Sequence, residues 1–303
     1  MLVLRSLLFY LFLSCLPTTS VWAAACCGGN FASPGMISGD EKGLLTLSYS
    51  QSQVAEFADR NGYWTKQNGI NEQIAQLSGA RLLGDRWQIG TMASLKQQTR
   101  SEQSAQATDL GDTSVLLGYE ALPEWVYDPY VPHGFVFLQI TAPTGVSRYE
   151  SREAGSVDVT GNGFWTLGGG VLLAKTWSQW DAQTQMEMHQ GLPRDFSNPS
   201  YGQIHVTPSW GGSALLSGGY SVQDWRVGLG LRHSDEGPAK TTGSITSISA
   251  TKRLTTLILS ANYVVQQKWA FAVAYSDDTL LGEPTNSFLS RAITVSLQHR
   301  WAR

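Results

Sequence analysis

Apolar and polar residues alternate with a period of two along twelve segments of the chain, at about 43–55, 71–83, 87–98, 110–121, 133–143, 163–176, 180–190, 203–220, 225–234, 248–264, 269–277 and 289–301. This is the pattern of strands that present one face to an apolar medium and the other to water. The clearest rows come late in the chain. Trp225, Val227, Leu229 and Leu231 interleave with Arg226, Gly228, Gly230 and Arg232, and Trp269, Phe271, Val273 and Tyr275 interleave with Ala270, Ala272 and Ala274. In the last segment Ile293, Val295 and Leu297 interleave with Thr294, Ser296, Gln298 and Arg300, ending near Trp301. Successive strand side chains point to opposite faces, so each segment has one side suited to lipid and another suited to a lumen.

The connections fall into two alternating classes. Short polar turns stand at Gly84-Asp85-Arg86, Ser178-Gln179, Gln223-Asp224 and Gln266-Gln267-Lys268, with a longer Pro-rich member from Pro123 to Pro132. The others are long and rich in Ser, Thr, Asn, Asp and Gly, such as 99–109, 145–162 and 276–288. A tryptophan follows each short polar turn at Trp87, Trp180, Trp225 and Trp269, with intervals of 93, 45 and 44 residues, and Trp301 closes the last segment. An indole buries its ring while keeping its N–H near water, so these residues are expected to form a girdle at one membrane interface. The predicted fold is all-β: an antiparallel up-and-down transmembrane β-barrel of about twelve strands, with short turns on the periplasmic side and both termini there.

The N-terminus agrees with export. Arg5 precedes the apolar run LLFYLFLSCL, too short to span a bilayer, followed by small residues with usable cleavage positions after Ala23 and after Ala25. The expected division is a signal peptide at 1–25, a periplasmic or luminal segment at 26–42 and the barrel at 43–303. No later stretch approaches the length of a spanning helix, and a closed barrel is the other structure that satisfies every backbone polar group in lipid. Loss of the signal leaves 20 basic residues against 24 acidic ones, which gives no basic excess for nucleic acid. The mean hydropathy of −0.15 suits strands that are apolar on one face only.

Three segments, LGDTSVLLGYE (110–120), LQITAPTGVSRY (138–149) and GNGFWTLGGGVLLAK (161–175), carry a family resemblance. In their order of a Gly-Asp strand start, a strand ending in Pro-Thr-Gly and a Gly-rich return strand, the chain resembles the outer-membrane barrel family named for the MetA pathway of phenol degradation. Ala142 stands before Pro143 where that pattern has Leu, and the adjacent Cys26 and Cys27 depart from it. The resemblance implies a small transporter-like barrel passing hydrophobic or aromatic compounds, and no enzymatic activity.

Candidate chemistry is sparse. His133, His189, His205, His233 and His299 show no metal-ligand spacing. His233 and Ser234 are adjacent and therefore point to opposite faces, whereas a barrel hydrolase needs them on one. No catalytic residue, metal ligand or cofactor is expected. Cys26 and Cys27 cannot readily bond to each other as neighbours. Their readings are lipidation after Ala23-Ala24-Ala25, thiol contact with a partner, soft-metal capture or a flexible terminus. The lumen candidates are Asp112 and Glu120 on the fourth segment, Gln185 and Glu187 with Gln183 and His189 on the seventh, Arg226 and Arg232 on the ninth, and Arg300 on the last. Such charges form either a polar constriction or a water-excluding ionic network.

The favoured functional expectation is a passive channel or uptake pore in the bacterial outer membrane. Its partners would be outer-membrane lipids, the barrel-assembly machinery and a small hydrophobic substrate, without nucleic acid. The alternative is a non-conducting structural or interaction barrel presenting loops 144–162 and 191–203. A barrel hydrolase ranks last.

Overall fold

The computed structural model describes residues 35–39, 41–198 and 202–302. The signal segment, Cys26 and Cys27 lie outside the described residues. Twelve long strands build the molecule: β1 Glu41–Ala58, β2 Ile70–Leu83, β3 Trp87–Arg100, β4 Thr113–Leu122, β5 His133–Ala142, β6 Thr166–Trp177, β7 Trp180–Gly191, β8 Trp210–Val222, β9 Trp225–Glu236, β10 Lys252–Val265, β11 Trp269–Asp277 and β12 Ser287–Ala302. Each pairs antiparallel with its neighbours in sequence, and β12 returns to β1 from Gly43↔Trp301 to Ala58↔Ser287. The barrel is therefore closed and leaves no unpaired main edge. Among the described residues no helix is long and apolar enough to cross a membrane.

Local chemistry explains the turns. Ser178, Gln223, Gln266 and Gln267 have φ of 52°, 53°, 51° and 58°. Short hairpin loops need this left-handed backbone to match the twist of the flanking strands, and polar residues at the turns have no buried face to satisfy. Alternation then sorts the side chains. Leu47, Leu77, Leu138, Leu216 and Leu229 are exposed on the outside, whereas Leu116, Gln139, Leu172 and Gln298 are buried inside.

Two expected strands are divided in the structure. The 203–220 segment splits into Gly202–Thr207 and β8, with Pro208, which has no N–H to donate, at the break. The 248–264 segment begins its barrel run only at Lys252. The severed pieces belong to a second, four-stranded sheet of Arg194–Asn198, Gly202–Thr207, Lys240–Gly243 and Ser247–Ile248 beyond the long-loop end. Phe164, Phe196, Ile204 and Val206 form its own apolar core, with Tyr149, Ala239 and Ile245 packed against it. The polar composition of these loops concealed that core.

Candidate functional site

The lumen has two unlike walls. On β7 and β9 the inward rows carry charges, and the β8 row between them is built of Gly, Ser and Leu215. Arg226 lies against the wall and donates from Nε to Asp181 Oδ2 at 2.8 Å and from Nη2 to Asp181 Oδ1 at 2.5 Å. Gly219 makes room for it, since a Cβ there would stand 2.4 Å from the guanidinium carbon. Nearer the long loops, His189 Nδ1 is 3.0 Å from Glu187 Oε2 and its Nε2 is 3.2 Å from Glu236 Oε2. Gly211 opens the space beside this pair, because a Cβ at that position would fall 2.5 Å from His189 Nε2. Glycines in these strands thus allow ionic groups to lie flat where a methyl would push them into the lumen.

On β4–β6 the inward row is apolar in its middle. Leu116, Phe135, Phe137 and Leu172 are buried, with Phe135 opposite Leu172 and Phe137 opposite Gly170 in register. Toward the long loops this wall turns polar, where Ser114 Oγ and Thr141 Oγ1 share a hydrogen bond of 2.8 Å and Gln139 lies buried beside them.

The short-turn mouth is occupied by the chain itself. Ile37 is 2% exposed, its N–H donates to Gln88 Oε1 at 2.7 Å, and Gln88 Nε2 donates back to Ile37 O at 3.1 Å. A side-chain amide pairs in this way with one peptide of the segment that precedes β1. Ile37 also packs against Leu44, Ala80 and Leu82, and a small cavity beside it is lined by Leu82, Arg86, Glu120, His133 and Phe135.

The sequence-derived candidates are distributed over this geometry. Arg226 pairs with Asp181, a residue the alternation argument did not single out, and Glu187 pairs with His189, so the two candidates do not meet each other. Arg232 is half-buried on the inward row of β9, and among the described residues no ion pair reaches it. Gln185 is half-buried on the inward row of β7, opposite Leu215. Glu120 sits at the short-turn mouth, 2.5 Å from His133 Nε2. Arg300 donates to Gln298 Oε1 at 2.7 Å and reaches Glu41 at 3.5 Å. Asp112 serves the loops: it accepts from Gly145 N at 3.0 Å and Asn162 N at 2.7 Å, holding both ends of the β5–β6 connection.

The tryptophans expected to form the girdle all face outward, and four of them meet a ring on the neighbouring strand. Trp87 lies 4.8 Å from Tyr119, Trp180 4.6 Å from Tyr220, Trp225 4.7 Å from Tyr263 and Trp269 4.4 Å from His299, which also touches Trp301. Cross-strand register, invisible in a linear repeat, makes these pairs. His233 lies on the outer wall, 2.9 Å from Thr255 Oγ1 and 3.0 Å from Asp235 Oδ2, while Arg253 takes the other Asp235 oxygen at 3.0 Å. With His233, Asp235 and Arg253 each about half-exposed, this is an ionic network at the rim. Among the described residues no cluster of three metal-ligating side chains occurs.

The closed twelve-strand barrel with an apolar exterior and a lined lumen is the class that fold and site define. The chain is similar to the crystal structure of the COG4313 outer membrane channel from Pseudomonas putida F1, with a TM-score of 0.68 and 14% identity over 92% of this chain and 100% of that one. More distantly it is similar to the transport unit of the autotransporter AIDA-I from Escherichia coli, with a TM-score of 0.47 and 11% identity over 90% and 94% of the two chains. The KdgM porin gives 0.44 and 8% over 84% and 98%. No family model and no curated protein matches the chain.

Proposed function

We propose that the protein is a bacterial outer-membrane barrel acting as a passive channel for small molecules, with hydrophobic or aromatic compounds as cargo. The observation that carries this reading is the buried apolar row Leu116, Phe135, Phe137 and Leu172 running beside an ionic wall inside one closed barrel. When these packed side chains part, an apolar molecule gains an apolar track on one side while the ionic groups opposite remain satisfied by one another. The resemblance of 110–120, 138–149 and 161–175 to the MetA-pathway barrels supports the same cargo. The described residues 35–39, part of the segment expected to be periplasmic or luminal, act as a plug at the short-turn mouth through the Ile37–Gln88 contact. Lipid of the outer membrane is the solvent of the outer rows, and insertion depends on the barrel-assembly machinery. The two remaining alternatives are a loop-presenting interaction barrel, which the outer sheet favours, and a hydrolase, for which no observation speaks.

Conductance in planar bilayers, with and without Gln88→Ala, tests the reading. The wild type should open narrow, brief channels, and Gln88→Ala should raise the open fraction by freeing Ile37. Absence of conductance in both, together with no uptake of an aromatic hydrocarbon into protein-loaded liposomes, would leave the non-conducting barrel.

A further inference from the structure

The connection between β4 and β5 is unlike the other turns at its end of the barrel. Those are two or three residues long, whereas this one runs over 123–132 and turns back along the outside of the wall. A bulge between Glu120 and Leu122 starts the departure. Leu122 and Leu173 then close over Gly134 on the outer face, where a Cβ would meet both side chains at 3.0 Å.

Lys175 reveals where the segment lies. By alternation it belongs to the outward row of β6 with Val171 and Trp177, yet only 6% of it is exposed. Its Nζ donates to Glu124 Oε1 at 2.6 Å and sits 4.5 Å from the centre of the Tyr127 ring. Trp177 Nε1 donates to Pro129 O at 2.8 Å. The segment is therefore clasped onto the outer wall at the height of the tryptophan girdle.

Among the described residues its own apolar side chains are largely uncovered. Trp125 is 77% exposed, Val126 82%, Tyr127 59%, Tyr130 92% and Val131 48%, against 54% for the girdle residue Trp225. A contiguous apolar patch of this kind marks an interaction surface. We propose that residues 123–132 form an in-plane anchor that rests on the glycerophospholipid leaflet at the short-turn end, extending the barrel's lipid contact sideways. The patch is continuous with the lipid-facing row through Trp177. Tyr and Trp suit the headgroup level, where an apolar ring and a polar tip are both satisfied. The Glu124–Lys175 pair neutralises a cation that would otherwise face acyl chains. The inference rests on the membrane-spanning reading.

Fluorescence depth measurement separates the anchor from the spanning barrel on which it rests. In full-length protein carrying Cys15→Ser, Cys26→Ser and Cys27→Ser, an NBD label at Val126→Cys is compared with labels at the lipid-facing Val227→Cys and at the exposed outer-sheet position Ile248→Cys, in liposomes of phosphatidylethanolamine and phosphatidylglycerol. The label at 126 should be quenched by headgroup-proximal doxyl lipid roughly twofold more than that at 248, and shielded from iodide. Equal behaviour at 126 and 248, with strong lipid quenching at 227, overturns the anchor. Failure of lipid quenching at 227 overturns the spanning reading itself. A label at 126 that iodide reaches in liposomes but not in native outer membranes also overturns the proposal, by assigning the patch to a protein partner.

Discussion

The β4–β6 and β7–β9 walls enclose one lumen and are made of strands with the same alternation, yet they hold together by different physics. On β4–β6 the middle of the wall is stabilised by burial of Leu116, Phe135, Phe137 and Leu172, which is non-directional and roughly additive in area. On β7–β9 Asp181, Arg226, Glu187 and His189 are stabilised by being paired, and each depends on the placement of its partner. Removal of one side chain thus produces a cavity on the first wall and an orphaned charge on the second. Rescue is possible only on the second, because a pair can be deleted together.

The strongest test of this contrast is stability. Asp181→Ala leaves Arg226 buried without its carboxylate and should cost about 3–5 kcal/mol in a urea titration of the barrel in lipid vesicles. Adding Arg226→Met should recover most of that loss. Phe137→Ala should cost about 3–5 kcal/mol with no such rescue from a neighbouring substitution. Additive losses for Asp181→Ala and Arg226→Met would show that the two side chains are not coupled, and the contrast between the walls would collapse.

Selectivity sharpens it further. The Arg226–Asp181 pair is neutral, whereas no ion pair among the described residues reaches Arg232. Arg232→Gln should move the reversal potential in a salt gradient toward cation preference, because a low-dielectric wall strengthens the field of an uncompensated charge. The Asp181→Leu and Arg226→Met double variant should leave selectivity near that of wild type. A larger shift from the double variant than from Arg232→Gln would mean that the paired charges, and not Arg232, line the path.

The loops above the two walls differ in the same sense, and the expected effect is the smallest. Burial raises the pKa of Asp158 in the β5–β6 connection, but hydrogen bonds from Ser151 and from the amides of Arg152 and Glu153 outweigh it and hold the group below its ordinary 3.8. A depressed carboxyl pKa contributes stability above the unfolded value that is lost as pH falls through the folded one. Amide protection in 151–158, taken relative to the intrinsic exchange rate at each pH, should therefore fall below about pH 4, while Phe196, Ile204 and Val206 keep the outer sheet protected. Asp158→Asn should remove the pH dependence. Equal acid sensitivity of both loops would indicate a common opening.

Twelve strands and their two faces are legible in the chain because a period of two is a local property: a strand with an apolar medium on one side must write its environment into every second residue. The same rule placed Arg226, Arg232, Glu187 and Gln185 on inward rows. It could not say that Arg226 reaches Asp181 and not Glu187, since that depends on strand register and on Gly219 leaving space for the guanidinium. Asp112 illustrates the same boundary, because alternation gives a face while only the returning β5–β6 loop decides what the carboxylate binds. The outer sheet escaped detection because its core joins Phe196, Ile204 and Val206 of the β7–β8 connection to Phe164 of the β5–β6 connection, a contact that no local pattern records. The clasp of 123–132 onto β6 likewise follows from the fold, which brings Glu124 and Lys175 together across 51 residues. Periodicity records the solvent on each side of a strand, whereas pairing across the lumen, between loops and over the outer wall is fixed only when the barrel closes and sets which residues share a height.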